Sequence, residues 1–253
     1  MTNVSWSRLI RFTPSSDPNT IFYGEPLGDA NALDDIGNLA EAGRLEAAII
    51  EVDGSGPLSD SAKVTKRIEK VGRLLGPLGI EHCTDIKCIG LNYRKHSMSP
   101  TDRSLLCRAN SFSPPIHRKA CLAGWSTDKV CTVQEAGRSL PPFPSLFIKP
   151  TTSLADYNES VPIPRCAQED EADYEGELCA IIGKDCKDVS VEEALDYVVG
   201  YTAGDDVSTR KWQRSKERAG GVPQWCFSKV KGFHASFSER RDWKQILTWE
   251  IGV

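Results

Sequence analysis

A globular chain dominated by β-strand, with some helix, is what this sequence predicts, and three features predict it. The first is period-two alternation near the start: in Arg8–Thr13, Ile10 and Phe12 alternate with Arg11 and Thr13, as in a half-buried strand. The second is a pair of apolar, strand-like runs, Leu178-Cys179-Ala180-Ile181-Ile182 ending at Gly183, and Tyr197-Val198-Val199-Gly200-Tyr201-Thr202. The third is the punctuation between such runs, including Ser15-Ser16-Asp17-Pro18-Asn19 before a second short strand at Ile21–Gly24, and Asp53-Gly54-Ser55-Gly56-Pro57 after Leu45–Val52. Residues 61–75 read as a helix, because Val64, Ile68, Val71 and Leu74-Leu75 form one apolar stripe. Gly76-Pro77-Leu78-Gly79 stops it, and there we place the end of a small α/β N-terminal module, residues 1–80. Ser190, with Glu193 three positions later, has the form of a capping box.

Composition bounds the function. With 253 residues, 26% charged and 40% hydrophobic, the chain can bury a substantial core, either as one large β domain or as a small domain beside a larger one. A net charge of −4 offers no basic footprint for nucleic acid. No segment approaches the run of about 20 apolar residues that spans a bilayer, and the first residues lack a signal-peptide pattern. Nine cysteines, an odd count, sit partly in apolar runs (Cys88, Cys179) and have no zinc-knuckle spacing, so reduced thiols in the cytoplasm are expected, with the mitochondrion as the other candidate compartment.

The most informative motif is Glu175-Gly176-Glu177 with Asp206 further along. Side chains two apart on a strand share a face, so both glutamates would project into one volume. Like charges that close raise each other's pKa unless a cation neutralises them. An all-carboxylate site suits a hard ion, Mg²⁺ or Mn²⁺, with Ca²⁺ a further candidate. Asp206, after the second strand-like run, is the natural third ligand, and Asp205 competes for that role. The bland alternative puts both glutamates on the solvent face of an edge strand.

Five blocks in order carry a resemblance: Cys88–His96, Pro144–Pro150, the Glu175/Glu177 strand, Gly200–Arg210 with Trp212-Gln213, and Gln224–Lys229. Together they resemble the fumarylacetoacetate hydrolase (FAH) family. The resemblance implies a mainly β fold with some α, an FAH-type β-roll catalytic domain over residues 85–229 behind the small N-terminal module. It implies Mg²⁺ or Mn²⁺ held by Glu175, Glu177 and Asp206, and small 2-oxo or 1,3-diketo acid substrates, such as acylpyruvates or oxaloacetate, hydrolysed at a C–C bond or decarboxylated. A tautomerase or isomerase on the same substrates, or an inactive truncated product, is the competing reading. His96 would be the general base, oriented by Glu135, and Lys229 would hold a substrate carboxylate or developing oxyanion. Arg94 and Gln213 would bind substrate, although an exposed arginine and a helix-surface glutamine are the plain alternatives. Homodimers are implied as well.

Two segments depart from the family pattern. Residues 98–133 interrupt it directly after the histidine block, and we read them as an insert without a core of its own. Its junctions, Ser97-Met98-Ser99 and Thr132-Val133, can be encoded by splice-site sequences, so a retained short intron read in frame is expected. Beyond Lys229 the pattern stops, which leaves 230–253 as an unmatched tail and the catalytic domain incomplete.

Overall fold

The computed structural model describes residues 4–28, 35–90, 121–125, 145–168, 172–190, 192–229 and 233–239. Four strands open the chain: β1 (Arg8–Pro14), β2 (Phe22–Pro26), β3 (Glu46–Glu51) and β4 (Lys63–Leu75), with the short helix α1 (Ile36–Glu41) between the second and third. Asp35 starts α1 by accepting the Asn38 amide at 3.0 Å. The pairings β1–β2, β2–β3, β3–β4 and β4–β1 are all antiparallel and close a ring. Closure leaves these four strands few unpaired edges. Ile10, Phe12, Ala47, Ile49, Val71 and Leu74 pack together with Ile36 and Ala40 of α1.

The helix expected over 61–75 is instead the 13-residue strand β4. Its apolar residues fit a helical stripe, yet Val64, Thr65, Ile68 and Val71 are β-branched and suit a pleated ribbon. Pairing decides the outcome: Lys63–Lys70 bond to β3, and Val71–Leu75 continue onto β1. Val71 is buried, while Ile68, which the helical stripe would have buried with it, is 54% exposed.

The larger sheet uses β5 (Ile86–Gly90), β6 (Cys121–Trp125), β7 (Ser145–Lys149), β8 (Leu154–Ala155), β10 (Gly176–Ile182), β11 (Val198–Asp206) and β13 (Phe233–Glu239). Two short strands, β9 (Ala172–Asp173) and β12 (Ser208–Thr209), pair with each other beside it. The order is β13-β11-β10-β6-β5-β7, and Arg8 and Leu9 of β1 pair with Glu239 and Ser238 of β13, which joins the ring to the sheet. Val4, Trp6, Leu9, Tyr23, Ile50 and Leu58 share a core with Ile181 and Val199 across that junction. The Trp6 indole N–H donates to the Pro57 carbonyl at 2.8 Å. Asp156 binds both the Gly76 amide, at 2.9 Å, and Arg11, at 3.0 Å, where the chain leaves the ring. The fold is thus mainly β with little helix. Single-turn helices α2 (Lys211–Arg214) and α3 (Trp225–Ser228) and a few 3-10 turns complete it. The capping-box residues Ser190 and Glu193 bond to each other at 2.8 Å, but they open only a 3-10 turn, Ala194–Tyr197.

Two sequence expectations change here. Residues 121–125, inside the segment read as an insert, form β6, which is antiparallel to β10 and parallel to β5. A loop spliced into a finished sheet would add no such rung, so this stretch is a sheet element, and reading the whole of 98–133 as an insert or retained intron is corrected. Five residues are too short a run for periodicity to separate from a loop. Residues 233–239, assigned to an unmatched tail, form β13 between β1 and β11. The rest of 98–133 lies outside the described residues.

Candidate active site

The site lies where β10 and β11 meet their ends. These strands run antiparallel, with Gly176 opposite Asp205 and Glu177 opposite Gly204. One step further, the Asp206 amide donates to the Glu175 carbonyl at 2.8 Å. Opposed residues share a face, so Glu175, Glu177 and Asp206 fall on one side of the sheet. Asp205 alternates away, and its carboxylate accepts the Glu175 amide at 2.9 Å. The geometry therefore groups Asp206, not Asp205, with Glu175. Glycine at position 204 leaves no side chain opposite Glu177.

Among the described residues, three cations converge on this face. Lys229, just beyond α3 and 3% exposed, donates to Glu175 Oε2 at 2.6 Å, Asp206 Oδ2 at 2.7 Å and Ser208 Oγ at 2.6 Å. Its ammonium also lies 4.9 Å from the centre of the Phe147 ring, which stacks on Trp225 at 5.1 Å. Lys149, wholly buried at 0% exposure, reaches Asp206 Oδ1 at 2.7 Å. Strand β7 explains how it arrives there: Ile148 is exposed, and alternation sends Phe147 and Lys149 inward. Arg210 is the third. The β9–β12 pairing brings it to Asp173, with Nε–Oδ2 at 2.9 Å, and its Nη1 meets Glu175 Oε1 at 2.6 Å. Burial opposes ionisation of Glu175, but Lys229 and Arg210 outweigh it and hold the carboxyl at about 2, far below its ordinary value.

Gln213, on α2, is no surface glutamine. Its carbonyl oxygen accepts from Arg210 at 3.1 Å, and its amide donates to Ser228 Oγ at 2.6 Å, so it braces Arg210 against α3. Ser228 and Lys229 are themselves placed by Thr209, whose hydroxyl donates to the Phe227 carbonyl at 3.2 Å. His96, Glu135 and Arg94 lie outside the described residues. Sequence reasoning assigned no role to Lys149, Arg210, Asp173 or Ser208. The alternation of Leu146-Phe147-Ile148-Lys149 was the available signal for Lys149, whereas the reach of Arg210 to Asp173 depends on a two-residue strand pair. Among the described residues, no three His, Cys, Asp or Glu side chains gather as a metal-holding cluster, and the position between Glu175 and Asp206 is taken by the Lys229 ammonium.

Residues 85–239 match the model of the fumarylacetoacetate (FAA) hydrolase C-terminal family. The chain belongs to the fumarylacetoacetate hydrolase family. The match runs past Lys229 to the end of β13, so the family pattern does not stop where the sequence blocks do. Caffeoylpyruvate hydrolase of Neonothopanus nambi is 37% identical over 232 residues, covering 90% of this chain and 64% of that protein. The fumarylacetoacetate hydrolase domain-containing protein 2 homolog of Dictyostelium discoideum is 32% identical over 181 residues, 66% of this chain and 57% of that protein. The chain thus spans less than two thirds of either relative. The crystal structure of 2-hydroxyhepta-2,4-diene-1,7-dioate isomerase from Mycobacterium marinum superposes with a TM-score of 0.55 at 24% identity, over 93% of this chain and 67% of that one, a likeness of fold. No helix among the described residues is long and apolar enough to cross a membrane.

Proposed function

We propose that this chain supplies the cation and carboxylate-binding machinery of an enzyme that hydrolyses a C–C bond in acylpyruvate-type 1,3-diketo acids. The observation that carries the reading is the buried set Lys149, Lys229, Arg210, Glu175 and Asp206 on one sheet face, where Glu175 stays ionised at neutral pH. Membership of the family and the likeness to a caffeoylpyruvate hydrolase support the substrate class.

The donor chemistry fits a hard divalent ion. Glu175 and Asp206 already present oxygens to one shared cationic position, Glu177 lies on the same face, and all are carboxylates, which Mg²⁺ or Mn²⁺ prefer. Glu175, Glu177 and Asp206 would hold the ion, and when bound it would polarise the 2-oxo-carboxylate end of the substrate as a Lewis acid. The chain's own groups do the rest. Lys229 and Arg210 draw the substrate carboxylate toward the face by charge. Water adds to the distal carbonyl carbon, and the C–C bond breaks. Its electron pair stays on the pyruvate carbon as an enolate, which the ammonium of Lys229 stabilises until the carbon is protonated. Phe147 and Trp225 wall the ammonium from solvent on one side, which strengthens its field.

Pyruvate release from aroyl- and alkylpyruvates, measured with Mg²⁺ or Mn²⁺ and again with excess EDTA, tests the proposal. EDTA-sensitive pyruvate formation that Lys229→Met abolishes is the expected result. Turnover indifferent to EDTA, or none with any acylpyruvate, would overturn it.

A further inference from the structure

All four carboxylate oxygens of Glu175 and Asp206 already face a side-chain cation. Glu175 Oε1 meets Arg210 and Oε2 meets Lys229; Asp206 Oδ1 meets Lys149 and Oδ2 meets Lys229. Among the described residues, Lys229 is the cation that both carboxylates share. An ammonium has three hydrogens to donate. Those of Lys229 are matched by three acceptors at 2.6–2.7 Å, namely Glu175 Oε2, Asp206 Oδ2 and Ser208 Oγ. In this arrangement Lys229 has no hydrogen left for a substrate, and its charge stands where a divalent ion would meet the same two oxygens. Arg210 and Lys149 have less reason to move. Arg210 is anchored on Asp173 and Gln213, and Lys149 is wholly buried beside Asp206.

We propose that Lys229 is a two-position residue: it is the resident counter-ion of Glu175 and Asp206 while the metal site is empty, and divalent ion binding displaces it toward the substrate carboxylate. The inference rests on the metal reading of this site. It links two binding events through one side chain, so that the ion both fills the site and releases the group that recognises substrate. The stem of Lys229 is a flexible four-carbon chain, and Ser208, a neutral acceptor, can keep one hydrogen of the ammonium while the carboxylates let go.

Two measurements on the full chain test this. Mn²⁺ titrations followed by electron paramagnetic resonance give the dissociation constant of the wild type and of Lys229→Met, with Glu175→Gln as the control for the site. Removing an internal competitor should tighten Mn²⁺ by at least about tenfold in Lys229→Met, since a unit charge a few ångströms away interacts strongly in a partly buried site. On the unmutated protein, the side-chain ammonium NMR signal of Lys229, assigned by its loss in Lys229→Arg, should be seen without metal and shift or vanish on adding diamagnetic Mg²⁺. Equal Mn²⁺ affinities, or an ammonium signal unmoved at saturating Mg²⁺, would overturn the two-position role while leaving the metal site standing. No Mn²⁺ binding at all, or binding that Glu175→Gln leaves unchanged, would bring down the metal reading and this proposal with it.

Discussion

Lys149→Met isolates the contribution of the deepest charge among the described residues. Lys149 is 0% exposed and Asp206 2%, with Nζ and Oδ1 2.7 Å apart. Methionine keeps most of the apolar stem, so the change removes the charge with little loss of packing. Breaking a buried ion pair by deleting one partner costs roughly 3–5 kcal/mol, because the remaining charge is left without compensation. Asp206 retains Lys229 on its other oxygen, which places the expectation at the lower end, about 3 kcal/mol. Urea unfolding in EDTA, followed by circular dichroism, reads it out. With an m value of about 2–3 kcal/mol per M, the midpoint should fall by about 1–1.5 M at unchanged m. The double variant Lys149→Met, Asp206→Asn should recover part of the loss, with a coupling energy of about 1–3 kcal/mol. A single-variant loss below about 1 kcal/mol, close to the range of surface substitutions, would refute the reasoning that Asp206 depends on Lys149.

Two further outcomes concern the ring and its junction. Gly24→Ala should lower stability by about 1–3 kcal/mol in the same urea assay, because the new methyl would lie 2.9 Å from Phe12 Cε1 and 3.1 Å from the Ala48 carbonyl. Gly54→Ala, where nothing stands within 4 Å, should change it by no more than about 0.5 kcal/mol. Trp6→Phe fills much of the same volume but removes the indole donor to the Pro57 carbonyl, so a loss of about 1–3 kcal/mol is expected, checked by the unfolding midpoint.

How much of this was legible in the sequence depends on the range of the interaction that decides each element. Strand β1 and the grouping of Glu175 with Glu177 follow from side-chain period alone, a local property. Placing Asp206 rather than Asp205 beside them needed only the parity of one antiparallel pairing. Strand β4 was misread because Val64, Ile68 and Val71 satisfy both periods, and the partners that decide between them, β3 and β1, are distant in sequence. The same holds for β6 and β13, short runs whose strand character comes from the neighbours that hydrogen-bond to them. Lys149 was hidden by its charge: a lysine is read as exposed unless its strand is known to send it inward. Arg210 and Asp173 meet only because two-residue strands pair, a contact no spacing rule anticipates.

The pairing of Arg8 with Glu239 carries a consequence for synthesis on the ribosome. The four-stranded ring is complete once Leu75 has emerged, since every pairing in it lies within the first 75 residues. Its bond to the sheet cannot form until β13, far along the chain, has been made. Between those moments the leading residues of β1, Leu9 among them, wait without their β13 partners in the nascent chain. Elongation therefore imposes an order in which the ring forms early, the acid–base face of β10 and β11 forms later, and the seam between them closes last. A slow codon stretch between Asp206 and Phe233 would lengthen the interval during which that seam stands open to other nascent chains.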